Sequence, residues 1–449
     1  MTQAFQVFFR EAPAEVDVES IYHLWRCLGS AYDVNRWRLP LPPWAQRPFE
    51  ETGVQAWRTL NADLFSAQST RPMCIYFHIP FCSSKCGFCD SYSFKLGRFV
   101  DQRIEDYVDH LIYEMDLWRE QGNLAFRQVT TVHLGGGTPA FLGERQLARL
   151  IEYCCQNFRV SQETELALES TVESLTPEMI AAMHQMGFRR LHLGVQSLER
   201  QVRTAIGRRC DPEIVIEKIA VTRALGWVVS VDLICGLPHQ SLAGLVGDVQ
   251  NLMAAGVNGF SLYELLIYPQ NRRWAEGHGL SCRDHLDNFF LFLVGARLLA
   301  SHGYQKNMFN HWADELDQNI YFRFPTRGED CLALGAIADG VFGDYHYRHP
   351  PYAAYLRTAG AGYPGLQGGL RRNRQEQAWG PLTTALLSGS LTSLQAGAVN
   401  RDLLQRWLAA RLVEEQPGRF CLTDSGSWFA GNLLAEVTGQ TPNSVYAEG

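Results

Sequence analysis

Cys82, Cys86 and Cys89 stand in a C-x3-C-x2-C run directly after the apolar phrase YFHIPF at 76–81. This spacing lets one tight loop turn three thiolate sulfurs toward a single point. Such thiolates hold iron–sulfur clusters, and a [4Fe–4S] cube with three protein ligands keeps one iron free. A free iron can bind a small molecule and couple to it electronically. The competing reading is a structural zinc site, but those are closed by four ligands. The nearest fourth ligands are poor: Asp90 is the wrong type for a soft cluster, and His78 and Cys74 lie on the strand side before the loop. A disulfide inside a C-x3-C loop closes poorly. The chemistry indicated is redox chemistry on a ligand held at an open iron.

A second signal is the run Gly135, Gly136, Gly137, Thr138, Pro139, placed straight after a predicted strand. Glycines leave backbone N–H and C=O groups accessible and admit a ligand closely. Further along, Glu169, Gln196 and Asp232 each close a predicted strand, and Arg208 follows Gln196 by twelve residues. Each polar residue alone could be structural. At successive strand ends they form a ring.

The elements that must position these groups follow from periodicity. Apolar strands are predicted at 73–78, 131–134, 165–168, 190–193, 228–233 and 259–262, with amphipathic helices at 104–120, 144–158, 177–186, 212–225 and 242–255. Repeated βα units argue for α/β architecture with a parallel, barrel-like sheet wrapped by helices. Chemistry in such barrels sits at the C-terminal strand ends, where the cysteine loop and the polar ring fall. Residues 1–70 read as an N-terminal arm or cap, extended over 38–44 because successive prolines exclude helix. Residues 71–300 read as the partial (β/α)6 barrel, and 301–365 as an aromatic and Gly-rich extension lining the active site. Residues 366–449 read as a small helical, winged-helix-like domain.

Composition narrows the class. The chain has 449 residues, a net charge of −7, and no Lys/Arg block longer than a dipeptide outside 371–374. Nothing there suggests nucleic acid. There is no run of about eighteen apolar residues and no signal-peptide pattern, so no membrane partner is expected. Twelve cysteines in a chain without a secretory signal read as reduced thiols in the cytoplasm.

Together the phrases YxHIPFC, CxFC, GGGTP, GVQS and DLIxGLP, in this order, resemble the radical S-adenosylmethionine (SAM) superfamily. More narrowly they resemble its HemN-like group, typified by oxygen-independent coproporphyrinogen III dehydrogenase, over about residues 72–270. The resemblance implies that Cys82, Cys86 and Cys89 ligate a [4Fe–4S] cluster whose fourth iron chelates SAM. It implies that Gly136, Gly137 and Thr138 meet the methionyl part, and that Glu169, Gln196, Arg208 and Asp232 hold the rest. Tyr76 and Phe88 match positions lining the pocket of a second SAM molecule. One-electron reduction would then yield a 5′-deoxyadenosyl radical. The implied partners are a small-molecule substrate and a reduced flavodoxin- or ferredoxin-type electron donor.

The chain also departs from the coproporphyrinogen enzymes. Their fourth cysteine is replaced by Ser91, their RYTSYP phrase by residues 39–44, and their RNFQGYT phrase by 307–312. These losses argue against propionate decarboxylation. The resemblance then favours a class C methylase or cyclopropanase, in which a second SAM methyl is activated for addition to an sp2 carbon of a natural product, with a separate cyclase a possible later partner. The phrases at 86–97 and 343–350 resemble that branch. Radical methylation and opening of heme is the alternative, and a heme chaperone is the non-enzyme alternative. Tyr263, Glu264, His311, Asp344 and His346 are candidate acid–base groups on mouth-facing loops, histidine being the readiest proton carrier near neutrality.

Overall fold

A computed structural model describes residues 3–67, 69–97, 102–121, 123–280 and 285–439. Its frame is a run of parallel strands, each returned by a helix: β1 Met73–Ile79, α1 Gln102–Arg119, β2 Val129–Gly136, α2 Glu144–Asn157, β3 Glu165–Ser170, α3 Pro177–Met186, β4 Arg190–Gln196, α4 Pro212–Ala224, β5 Val228–Cys235, α5 Leu242–Ala254 and β6 Gly259–Glu264. The six strands pair in sequence order, all parallel.

The two faces of this sheet differ sharply. Strand side chains alternate between faces, and the register aligns the strands so that like faces like. Val132, Leu134, Leu168, Leu191, Leu193, Val229, Val231, Leu233 and Phe260 are wholly buried on the outer face. They meet helices built for them: α1 offers Ile104, Tyr107, Val108, Leu111, Met115 and Trp118, and α2 offers Leu147, Leu150, Ile151 and Cys154, spaced to form one apolar stripe. The inner face instead carries Tyr76 and His78, then His133, Glu169, Arg190, His192, Ser230, Asp232, Ser261 and Tyr263.

The sheet is longer than six strands. After α6 (Leu286–Ser301), β7 (Gln305–Met308) and β8 (His311–Ala313) form a hairpin that extends the sheet antiparallel beyond β6. Helix α7 (Ile320–Arg327) then crosses the inner face, where Tyr321 stacks on His133 at 4.2 Å and on Tyr76 at 4.9 Å between ring centroids. At the opposite end, β9 (Cys331–Leu334) lies parallel to β1 as a seventh parallel strand, with Cys331 opposite Cys74. β10 (Asp339–Phe342), β11 (Tyr345–Arg348) and β12 (Gly368–Arg371) continue antiparallel, and Glu51–Thr52 from the N-terminal arm pairs with the last. The result is an open thirteen-stranded sheet. The six expected parallel units are thus present with a seventh parallel strand beside the first, and residues 301–365 supply regular sheet as well as loop.

The arm is held by aromatics. Phe5 and Trp25 pack on Phe290 of α6 at 5.3 and 5.4 Å, and Trp37 Nε1 donates to the Trp428 carbonyl at 2.8 Å. Beyond residue 373, a helix at Arg374–Leu387 precedes a three-stranded antiparallel sheet and four short helices. Among the described residues no helix is long and apolar enough to cross a membrane.

Candidate functional site

The cysteine loop is fixed from three sides. Phe81–Cys82 pairs with Phe94–Lys95, closing the base of the loop. Asn271 Nδ2 donates to the Phe88 carbonyl at 3.0 Å. Gly87 has to be glycine, because a Cβ there would fall 2.2 Å from Trp274 Nε1. Within the loop, Lys85 Nζ donates to the Ser91 carbonyl at 2.6 Å and to Ser93 Oγ at 3.0 Å, and lies 3.6 Å from Cys89 Sγ. Thr138 Oγ1 lies 3.5 Å from Cys82 Sγ. Burial pushes the Cys86 thiol up, against the pull of Arg208.

The N–H groups of the glycine run are engaged within the protein. The N–H groups of Gly136, Gly137 and Thr138 are taken by Glu169 Oε2 at 3.2 Å, the Ile79 carbonyl at 2.8 Å and the Phe81 carbonyl at 2.8 Å. They are not free donors for a ligand. Each missing Cβ instead makes room for protein: Gly135 for Glu169 at 2.7 Å, Gly136 for the His78 ring at 2.5 Å, and Gly137 for the Phe81 carbonyl at 2.7 Å. The run locks the end of β2 to the cysteine strand.

A cavity of about 390 Å³ opens on this wall. Cys82, Cys86 and Cys89 line it together with Phe88, Gly136, Gly137, Thr138, Glu169, Gln196, Arg208 and Asp232. Every expected SAM-contacting residue except Tyr76 is thus brought to one cavity. Tyr76 faces the interior, its hydroxyl 3.1 Å from His78 Nδ1 and its ring against Tyr321, and lines neither large cavity.

The polar groups of this cavity are placed by neighbours that the sequence reading did not single out. Glu169 Oε1 sits 2.9 Å from His133 Nε2. Burial pushes Glu169 up, but His133 and the Gly136 N–H outweigh it and hold the carboxyl below its ordinary value. Asp232 Oδ1 sits 2.6 Å from His192 Nε2, and His192, though buried, is raised by that carboxylate. Gln196 has a positive φ of 70° at a bulge between β4 and β5, a device that re-aims a side chain at a strand end. Gly194 clears space for it, since a Cβ would lie 2.8 Å from Gln196 Nε2 and 3.3 Å from an Arg208 nitrogen.

The donor set suits the implied cofactors. Among the described residues no three His, Cys, Asp or Glu side chains are grouped as ligands of a single metal ion, whereas a cube takes each of its thiolates on a different iron. Their chemistry fits: three thiols share one wall with no fourth cysteine lining it, as a [4Fe–4S] cube with an open iron requires. Among the described residues Gln196 Oε1 and Arg208 Nε are buried without a hydrogen-bond partner. Buried polar atoms are almost always satisfied, and these two, beside two carboxylates, await a polar ligand such as an amino acid moiety.

A larger cavity, about 500 Å³, adjoins the first. Its walls are mainly apolar and aromatic, from Trp44 and Phe49 of the arm, Phe309, Phe322 and Leu387, with Tyr263, His311 and His346 among its polar members. The wall between the two cavities contains His192, which lies 6.3 Å from both Phe322 and His311 between ring centroids.

The candidate acid–base groups divide. Tyr263 lines the larger cavity, and burial, then Asp232 and Glu169, push its phenol well up. His311 lines it and is buried. His346 lines it beside Trp44 at 5.1 Å, and burial with Arg372 pushes it down to about 3. Glu264 does not line it: it points to the other face of β6, bonded to His285 and to Asn288 Nδ2 at 3.3 Å. Asp344 does not line it either, being held at a turn by Arg371 and Gln377. Strand alternation separates Glu264 from Tyr263, and a sequence spacing alone could not show that the Asp344 turn faces away.

Comparison with known proteins agrees with this site. Residues 76–250 match the profile of the Radical SAM superfamily. That superfamily's cofactors are a [4Fe–4S] cluster and SAM, and the matched stretch carries Cys82, Cys86, Cys89, Glu169, Gln196, Arg208 and Asp232. Relatives of the HemN-like group are among the proteins the chain is similar to. It is 24% identical to an anaerobilin synthase from Escherichia coli O157:H7 over 397 residues, 86% of this chain and 88% of that protein. It is 28% identical to the heme chaperone HemW of Mycobacterium tuberculosis over 381 residues, 82% and 95% respectively. In fold it resembles coproporphyrinogen III oxidase (HemN) from Escherichia coli, with a TM-score of 0.74, 20% identity, and coverage of 87% of this chain and 95% of that one.

Proposed function

We propose that this chain is a radical SAM enzyme acting on a flat, conjugated substrate lodged in the larger cavity. Cys82, Cys86 and Cys89 ligate the cluster, while Gly136, Gly137, Thr138, Glu169, Gln196, Arg208 and Asp232 hold SAM against it. With both bound, a cluster reduced by an external one-electron donor would supply the electron that splits the SAM sulfonium into methionine and a 5′-deoxyadenosyl radical. The task of the chain is to position a bond against that radical and to exclude water. A second SAM, bordered by Phe88, is the source of the carbon transferred to an sp2 position. The observation that carries this reading is the adjacency of two unlike cavities. One is polar and thiol-lined, the other is apolar and aromatic, and His192, Phe322 and Tyr263 stand between them. Cavities of this size and lining suit small molecules.

A tetrapyrrole is the substrate class we favour, because the relatives are named for anaerobilin, heme and coproporphyrinogen. A second reading, methylation or cyclopropanation of a natural product, has its own support. The phrase at 343–350 that resembles that branch contributes His346, Tyr347 and Arg348 to the larger cavity. The test is anaerobic incubation of the reduced, cluster-loaded protein with methyl-deuterated SAM and heme. The expected result is deuterium in 5′-deoxyadenosine together with loss of the heme chromophore. Deuterium transfer with intact heme would move the substrate to the second reading. Heme binding without any 5′-deoxyadenosine would overturn the enzyme reading in favour of a chaperone.

A further inference from the structure

Asp317, His311 and Ser261 form a hydrogen-bonded line that ends at the larger cavity. His311 Nε2 lies 2.8 Å from Asp317 Oδ2, and His311 Nδ1 lies 2.9 Å from Ser261 Oγ. Pairing of β8 with β6 sets His311 directly opposite Ser261. Asp317 also accepts from Arg190, from Ser230 Oγ at 2.6 Å and from the Asn319 N–H at 2.9 Å. Burial pushes its carboxyl up, but Arg190 and His311 hold it well below the ordinary value.

These contacts fix the tautomer. An ionised carboxylate only accepts hydrogen bonds, so the His311 hydrogen sits on Nε2. Nδ1 is then the acceptor and the Ser261 hydroxyl the donor. Ser261 also interacts with the Tyr263 phenol, which leaves one lone pair of its hydroxyl for a group in the cavity that Ser261, Tyr263 and His311 all line. The backbone has been cleared for this line: a Cβ on Gly259 would fall 1.9 Å from Asp317 Oδ2 and 2.5 Å from His311 Nε2. The same logic of acid, imidazole and hydroxyl serves proton transfer on unrelated folds.

We propose that Ser261, backed by His311 and Asp317, is the proton acceptor for the substrate in the larger cavity. This rests on reading that cavity as the substrate's. A proton leaves an X–H group of the substrate for Ser261 Oγ as the serine's own hydrogen passes to His311 Nδ1. The X–H electron pair stays on X, and Asp317 offsets the imidazolium charge. No electron is exchanged. Asp317, Arg190 and His192 are the charged groups around the His311 ring, and burial, with Arg190 and His192, outweighs Asp317 to hold the ring below its ordinary value. The imidazole is therefore neutral and able to accept near pH 7.

Two measurements test this. In ¹⁵N-histidine NMR of the oxidised holoprotein, the signal lost in His311→Asn is expected to carry hydrogen on Nε2 alone between pH 6 and 8. Hydrogen on Nδ1, or an imidazolium, would overturn the relay whatever the substrate. In turnover with heme as the probe, Ser261→Ala is expected to lower product per 5′-deoxyadenosine released by about 10²-fold. An unchanged ratio would overturn the proposal. If wild-type protein releases no 5′-deoxyadenosine, the enzyme reading itself has failed. If it releases 5′-deoxyadenosine but leaves heme intact, the tetrapyrrole assignment has failed, and in both cases the NMR result decides the relay separately.

Discussion

Glu169 and Gly135 are fitted to each other: the carboxylate that His133 orients at 2.9 Å occupies the space where a Cβ on Gly135 would stand, 2.7 Å from Glu169 Oε1. The glycine is there for a side chain on the neighbouring strand, and that side chain faces the cavity of the three cysteines.

Gly135→Ala therefore displaces Glu169 before it touches any ligand. Overpacking of a tight site costs about 1–3 kcal/mol. Denaturant unfolding is expected to show a loss in that range, and equilibrium dialysis to show weaker SAM binding. A variant with wild-type SAM affinity would remove Glu169 from the SAM contacts.

A second test concerns the clamp behind the sheet. Glu114 of α1 is wholly buried, 2.6 Å from His349 Nε2 and 2.9 Å from Trp118 Nε1, and also bonded to Tyr355. Burial pushes Glu114 up, yet His349, Tyr355 and Trp118 hold it below its ordinary value, while Glu114 raises His349 despite burial. Removing one partner of such a pair costs about 3–5 kcal/mol, so Glu114→Ala is expected to unfold at markedly lower denaturant. The sign for pH follows from linkage. The Glu114 contribution is present above the ordinary carboxyl value and is lost as pH falls through its lowered folded value. The His349 contribution is present below the ordinary imidazole value and is lost as pH rises through its raised folded value. Stability in wild type should fall on both sides, and the variant should lose the alkaline slope, because His349 without its carboxylate is no longer raised.

Lys306 makes the opposite kind of case. Its ammonium lies 5.5 Å over the Trp312 ring with no hydrogen-bond partner among the described residues, and burial, against Asp424, pushes it down to about 7. Between pH 7 and about 10 the unfolded chain binds more protons than the folded one, so stability rises with pH across that window. Lys306→Met is expected to flatten the rise and to be the more stable protein at pH 6. Denaturant midpoints over pH 6–9 check this, and a variant less stable than wild type at pH 6 would show that the amine has a partner.

Much of this architecture could be read from residue order. The outer face of β1 to β6 is a period-two series of apolar residues, and the intervening helices carry matching stripes, so the βα units were legible almost to their ends. The cysteine spacing was legible, as were Glu169 and Gln196 near the ends of their apolar runs, whereas Asp232 lies inside its strand, Val228–Cys235. The inner face was not read, although its signal is in the same alternation: Arg190, His192 and Gly194 interleave with Leu191 and Leu193 in β4. The seventh parallel strand, Cys331–Leu334, is only four residues long and pairs with a strand some 250 positions earlier, so no local pattern announces it. The Ser261–His311 contact depends on that kind of remote pairing too, across 50 positions. Glu264 and Asp344 were misplaced because chain position near a strand end does not say which face a side chain takes.

The account stands or falls on what the three cysteines hold. The most direct measurement is EPR of the anaerobically reconstituted, dithionite-reduced protein with and without SAM, with 5′-deoxyadenosine assayed in the same samples and Cys86→Ala as control. A reduced [4Fe–4S] signal that changes shape on adding SAM, with 5′-deoxyadenosine released by wild type and not by Cys86→Ala, is the predicted result. Zinc in place of iron, or an iron signal indifferent to SAM with no 5′-deoxyadenosine, would contradict it.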